Sequence, residues 1–261
     1  MSAPTTLPAW AVPGATQDTK VSRPGIARLT WIELRKMGNT RAGRWLLTVV
    51  ALLSAVMIGG LAYFGEGDRT VQTYIQMAFQ PIAILGPVLG ILTVTSEWSQ
   101  RTALTTFTLV PQRGRVIAAK FLAAMALATL TLAVIIPIAA LATVFAGAER
   151  GAWDLSARVL GELLAYMLLY FACGVGFGLL FGNTPISIVS FFILPNAFIL
   201  LGLVSALENA QDWLNFSLTT AELGDGGATG DQWLKIFTSS LLWVVLPLVI
   251  GTVRTMRREV K

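Results

Sequence analysis

Six long runs of this chain carry almost no charge: residues 45–64, 74–96, 117–148, 159–182, 186–207 and 236–253. A bilayer's hydrocarbon core, about 30 Å thick, is crossed by about 20 apolar residues of helix. Within it every backbone N–H and C=O must find a partner inside the protein, so runs of this length specify transmembrane helices. The third run exceeds what a crossing needs, and either tilts or begins as helix in the cytosol. The expectation is an all-α polytopic membrane protein with a six-helix transmembrane domain over 45–253. Composition agrees, since 13% of residues are charged against about 25% in a soluble domain.

Orientation follows from the Lys and Arg between the runs. Lys20, Arg23, Arg28, Arg35, Lys36, Arg41 and Arg44 precede the first run; Arg101, Arg113, Arg115 and Lys120 separate the second from the third; Arg254, Arg257, Arg258 and Lys261 end the chain. These fifteen share one side, whereas only Arg69, Arg150, Arg158 and Lys235 fall on the other. The positive-inside rule then places both termini in the cytosol. The net charge of +5 thus reflects topology, and nucleic acid is not an expected partner.

Several chemistries are excluded. The chain has no histidine and a single cysteine, Cys173, which removes intramolecular disulfides, Cys clusters for metal, Ser-His-Asp triads and histidine proton relays. No metal site is expected, and with no convergent acid pair in the runs neither is a catalytic residue. No G-x-x-x-x-G-K-[ST] pattern occurs, so a Walker phosphate loop is absent.

Residues 1–22 are rich in Pro, Ala and Thr without the apolar core of a signal peptide, and read as a disordered cytosolic tail. Within 23–44, the segment GIARLTWIELRKM puts Ala27, Trp31 and Leu34 on one helical face and Arg28 and Arg35 on another, with Gly38-Asn39 as a stop. It is either an amphipathic helix lying in the membrane interface or a cytosolic helix packed on a partner. Residues 254–261 form a basic cytosolic C-terminus.

Gly174, Gly178 and Gly182 recur at every fourth position of CGVGFGLLFGN and offer a small-residue face for close helix packing. Pro81, Pro87, Pro137, Pro195 and Pro247 lie inside the runs, where each frees a carbonyl that a neighbour must satisfy. The few polar groups there are Gln76, Gln80, Asn196 and, near the start of the fourth run, Glu162. Gln76, Gln80 and Asn196 are candidates to line a pathway; for Gln80 and Asn196 an interhelical hydrogen bond is an equal alternative.

The polar stretch from Glu97 to Lys120 is too charged to remain in the bilayer. Glu97 and Arg101 form an i, i+4 pair in the favourable order, and as a helix Ala103, Phe107 and Val110 line one side while Arg101, Thr105 and Thr108 line the other. Pro111 ends that helix. A short amphipathic helix held between two spans either transmits force from a soluble partner or anchors in the interface.

The segment SEWSQRTALTTFTLVPQRGRVIAAK, which follows GPVLG in the second run, resembles the cytosolic loop of ABC type-2 exporter permeases. The likeness extends from Gly25 to the C-terminus and includes DWLNFSLTTAEL and DQWLKIF before the last run, which in that family hold short helices at the outer face. It implies an interfacial helix bearing Trp31, Leu34 and Arg35, six spans, and an ATPase-coupling region comprising Glu97, Arg101, Thr102, Thr105, Pro111, Arg113, Arg115 and Lys120. It also implies a non-catalytic permease in a bacterial plasma membrane, paired with a second identical or related copy. Two ABC ATPase subunits would carry ATP and Mg, with no cofactor on this chain. The cargo would be hydrophobic or amphipathic, such as a drug, lipid, peptide or glycoconjugate. The proline-rich tail before Pro24 has no counterpart in the family pattern. A secondary carrier or channel is the alternative, disfavoured by the lack of ionisable groups near mid-membrane.

Overall fold

The computed structural model describes residues 24–65, 69–99, 112–147, 151–204 and 207–257, and every regular element among them is helical. The tail 1–22, the coupling-helix residues Arg101, Thr102, Thr105 and Pro111, and the last four residues lie outside the described residues. A first helix α1 (Ile26–Asn39) breaks at Thr40, whose hydroxyl accepts from Gly43 N and caps α2 (Arg41–Phe64). Next come α3 (Val71–Ser99), α4 (Arg113–Phe145), α5 (Ala157–Phe181) and α6 (Thr184–Ala197), the last continuing as a 3-10 helix over Phe198–Leu203. Two short helices follow, α7 (Glu208–Leu214) and α8 (Phe216–Asp225), and then α9 (Gly230–Arg257).

Five of these helices, α2, α3, α4, α5 and α9, are long and apolar enough to cross a membrane. The expected fifth run, 186–207, differs: it is a 14-residue α-helix, about 21 Å at 1.5 Å per residue, followed by six residues of tighter 3-10 winding. Pro195 marks the change, because its ring blocks the α-helical bond to Phe191. The third run starts as helix at Arg113, so α4, at 33 residues, extends about 50 Å and overhangs a bilayer core. In α9 the π turn Leu241–Val245 precedes Pro247, and the Trp243 carbonyl four residues before that proline accepts from the buried Cys173 thiol at 3.2 Å. The thiol partners a carbonyl that the proline cannot.

Helices α3 and α5 form the centre. In the most apolar stretch of α5, 67% of residues are buried, against 17% for α2, which leaves α2 at the periphery with Val49, Leu52, Leu53 and Val56 exposed. Interlocking small residues bring α3 and α5 together. A Cβ on Gly174 would strike the Pro87 carbonyl and one on Gly178 the Val94 side chain, while one on Gly90 would lie 2.7 Å from the Phe171 carbonyl. Gly182, at φ 62°, is the left-handed cap that ends α5. Gly251 takes up α5's other side, where a Cβ would come within 2.6 Å of Leu179 and Leu180.

Long-range hydrogen bonds sort the bundle into two ends. At one end Arg115 donates to the Pro24 carbonyl, Arg113 to the Met256 carbonyl and Arg254 to the Leu180 carbonyl. The first and last described segments therefore lie together. At the opposite end Val71 N donates to Ala152 O, and Gln72 reaches Asp225 O across the bundle.

Candidate functional site

Four charged side chains converge where α1 meets the end of α3 and the start of α4. The α1 spacing puts Glu33 and Lys36 three residues apart on one face, with Nζ 2.6 Å from Oε1. Lys36 also lies 3.0 Å from Glu97, the last acid of α3. Lys120, on the second turn of α4, lies 2.8 Å from the other Glu33 oxygen and 3.1 Å from Glu97. Its third donor meets the Thr93 carbonyl at 3.1 Å, so all three ammonium protons are used.

The cluster holds two acids and two bases, and only Lys36 is substantially exposed, at 43% of its side chain. Burial alone would pull the Lys36 ammonium down, but the Glu33 and Glu97 carboxylates outweigh that effect and hold it above its ordinary value of 10.5. The lysine thus remains charged at neutral pH. A buried charge that loses its partner is strongly destabilising, so the cluster fixes the relative placement of three helices.

Of the coupling residues expected from the sequence, Glu97, Arg113, Arg115 and Lys120 are among the described residues. Glu97 and Lys120 are inside the cluster, Lys120 only 5% exposed. Arg113 and Arg115 sit on the first turn of α4 and hold the carbonyls of the C-terminal and N-terminal helical segments. Sequence reasoning missed Glu33 and treated Lys36 only as one of the basic residues; the i, i+3 pair in IELRK was the available signal. On α1 the face buried against the bundle is Glu33 and Met37, with Leu34 half-buried beside them. Trp31 is 59% exposed and Arg35 also points away from the bundle.

The three candidate pathway residues separate as well. Gln80 and Asn196, both exposed, line one cavity of about 270 Å³ with Tyr166, Tyr170 and Phe191. The Asn196 amide donates to the Phe192 carbonyl at 3.0 Å, within its own helix and not across to another. Gln76 instead donates to the Asp225 carbonyl at 3.0 Å, beside Gln72.

That contact belongs to a second polar assembly at the opposite end. Glu162 on α5 is 3% exposed, accepts from Arg158 Nε at 2.7 Å and from Ala228 N at 3.3 Å, while Arg158 also binds the Ala228 carbonyl. The turn between α8 and α9, with Gly226 at φ 74°, is thereby held from both α3 and α5. Further in, Thr219 and Ser239 hydroxyls meet at 2.7 Å and Trp243 Nε1 donates to Leu214 O, which tucks α7 and α8 against α9. No protein-family model matches the chain, and no curated protein does.

Proposed function

We propose that this chain is the membrane-spanning permease subunit of a bacterial ATP-binding-cassette exporter. The helix α6 with its 3-10 extension is the fifth of six crossings, both termini are cytosolic, and α1 lies in the inner interface. Two separate ATPase subunits, which bind ATP and Mg, engage the connection between α3 and α4. A second permease copy completes the pathway for a hydrophobic or amphipathic cargo, with Gln80 and Asn196 facing it.

One observation carries this reading: the Glu33, Lys36, Glu97 and Lys120 cluster ties α1 to both helices that flank the α3–α4 connection. A displacement applied at that connection moves the three helices as one unit, which is what a subunit driven from outside itself requires. The excess of Lys and Arg at this end supports a cytosolic position for it.

The test is purification from the native membrane followed by reconstitution. An ABC ATPase should co-purify, and cargo efflux from vesicles should need ATP and fall in an Arg101→Ala variant whose fold is intact. Transport down an ion gradient by this chain alone, with no ATPase present, would overturn the reading.

A further inference from the structure

The charge cluster forms one wall of a cavity of about 780 Å³ between α1, α2 and α3, a size typical of ligand pockets. Its two halves differ in chemistry. On the polar side Lys120 has no donor left, but Lys36 uses two of its three, on Glu33 and Glu97, and is partly exposed. Arg41, which also lines the cavity, is exposed and makes no ion pair among the described residues. Glu33 and Glu97 are balanced by the two lysines, so Arg41 leaves this rim net positive.

On the apolar side the wall continues through Trp45, Leu89 and Leu92. Trp45 is 67% exposed, one turn into an apolar helix, where an indole sits at the junction of headgroups and acyl chains. The cavity therefore joins a cationic rim to an apolar slot beside the exposed Trp45.

We propose that this cavity is a binding site for an anionic phospholipid of the surrounding bilayer. Its phosphate lies between the Lys36 ammonium and the Arg41 guanidinium, and an acyl chain runs along Trp45, Leu89 and Leu92. Basic pockets between helices at the cytosolic interface recognise such headgroups by charge. Because Lys36 also holds Glu97, the lipid sits on the link between α1 and the end of α3. The inference needs only a bilayer around the chain and is independent of any ATPase.

Native mass spectrometry of the purified full chain, titrated with dioleoylphosphatidylglycerol, dioleoylphosphatidylcholine or glycerol 3-phosphate, tests it. Phosphatidylglycerol should bind about tenfold or more tighter than phosphatidylcholine, and Arg41→Gln should weaken it about fivefold. Arg41 lies outside the charge cluster, so this variant should keep the wild-type melting temperature, and Lys36→Gln supplies a second reading. Arg69→Gln, at the opposite end, should bind as wild type. Equal affinity for the two lipids, undiminished binding in both the Arg41 and Lys36 variants, or glycerol 3-phosphate binding as tightly as the lipid would each overturn the proposal.

Discussion

The Lys120 ammonium lies 2.8 Å from the Glu33 carboxylate, across 87 residues of chain, and joins α1 to the start of α4. Both groups are nearly enclosed, at 6% and 8% side-chain exposure. In such surroundings the pair's value lies less in net stability than in the cost of separating it.

Removing one partner should therefore be far worse than removing both. Lys120→Ala leaves Glu33 and Glu97 facing a single lysine and should cost about 3–5 kcal/mol. The double variant Glu33→Gln, Lys120→Met keeps one neutral pair, Lys36 with Glu97, and should recover most of the loss. Unfolding midpoints of the purified variants in detergent decide the matter; equal losses in the single and the double would show that the cluster is not coupled.

Glycine positions on α5 offer a contrast within one helix. At Gly174 an added methyl meets the backbone carbonyl of Pro87, so Gly174→Ala must push α3 away and should destabilise by about 1–3 kcal/mol. Gly161 has nothing within 4 Å of an added Cβ, and Gly161→Ala should be neutral or stabilising by up to about 1 kcal/mol through helix propensity. Thermal melting of the two variants side by side is the check.

These positions also show what a single sequence can and cannot disclose. The long helices were legible because a bilayer leaves the backbone no alternative, and five of the six runs became helices long enough to cross. Gly174 and Gly178 stood out by their spacing, whereas Gly86 and Gly90, the matching stripe on α3, carried the same i, i+4 signal amid two prolines and passed unread. Gly182 continues the spacing and ends the helix as its left-handed cap, a role that periodicity does not reveal. The shortened α6 escaped because hydropathy is blind to a change of winding beside Pro195. The Glu33–Lys120 and Glu162–Ala228 contacts span 87 and 66 residues, and no local pattern connects groups so far apart in the chain.

The Glu162 assembly holds the α8–α9 turn, and its loss should free that turn. The chain's native cysteine, Cys173, is buried in the bundle core, so a cysteine introduced at Ala228, itself 2% exposed, would report on the turn alone. In an otherwise unaltered chain the Ala228→Cys variant should label slowly with a maleimide added to the purified protein in detergent. Adding Glu162→Ala should raise the labelling rate about tenfold or more, because the carboxylate that accepts from both Arg158 and residue 228 is gone. Unchanged labelling would mean that Gln72 and Gln76 suffice to hold the turn.

Tyr74 is fully buried near the start of α3, and its hydroxyl has no hydrogen-bond partner among the described residues. A buried hydroxyl without a partner carries its desolvation cost with nothing in return, whereas the ring retains all of its packing in the apolar cluster with Ile75, Ala78 and Val71. Tyr74→Phe should therefore stabilise the chain by about 1 kcal/mol. Tyr74→Ala removes the ring as well and should cost about 3–5 kcal/mol through the cavity left behind. Unfolding midpoints of both variants, measured under the same detergent conditions, test the pair of effects, and a destabilised Tyr74→Phe would reveal a partner for the hydroxyl.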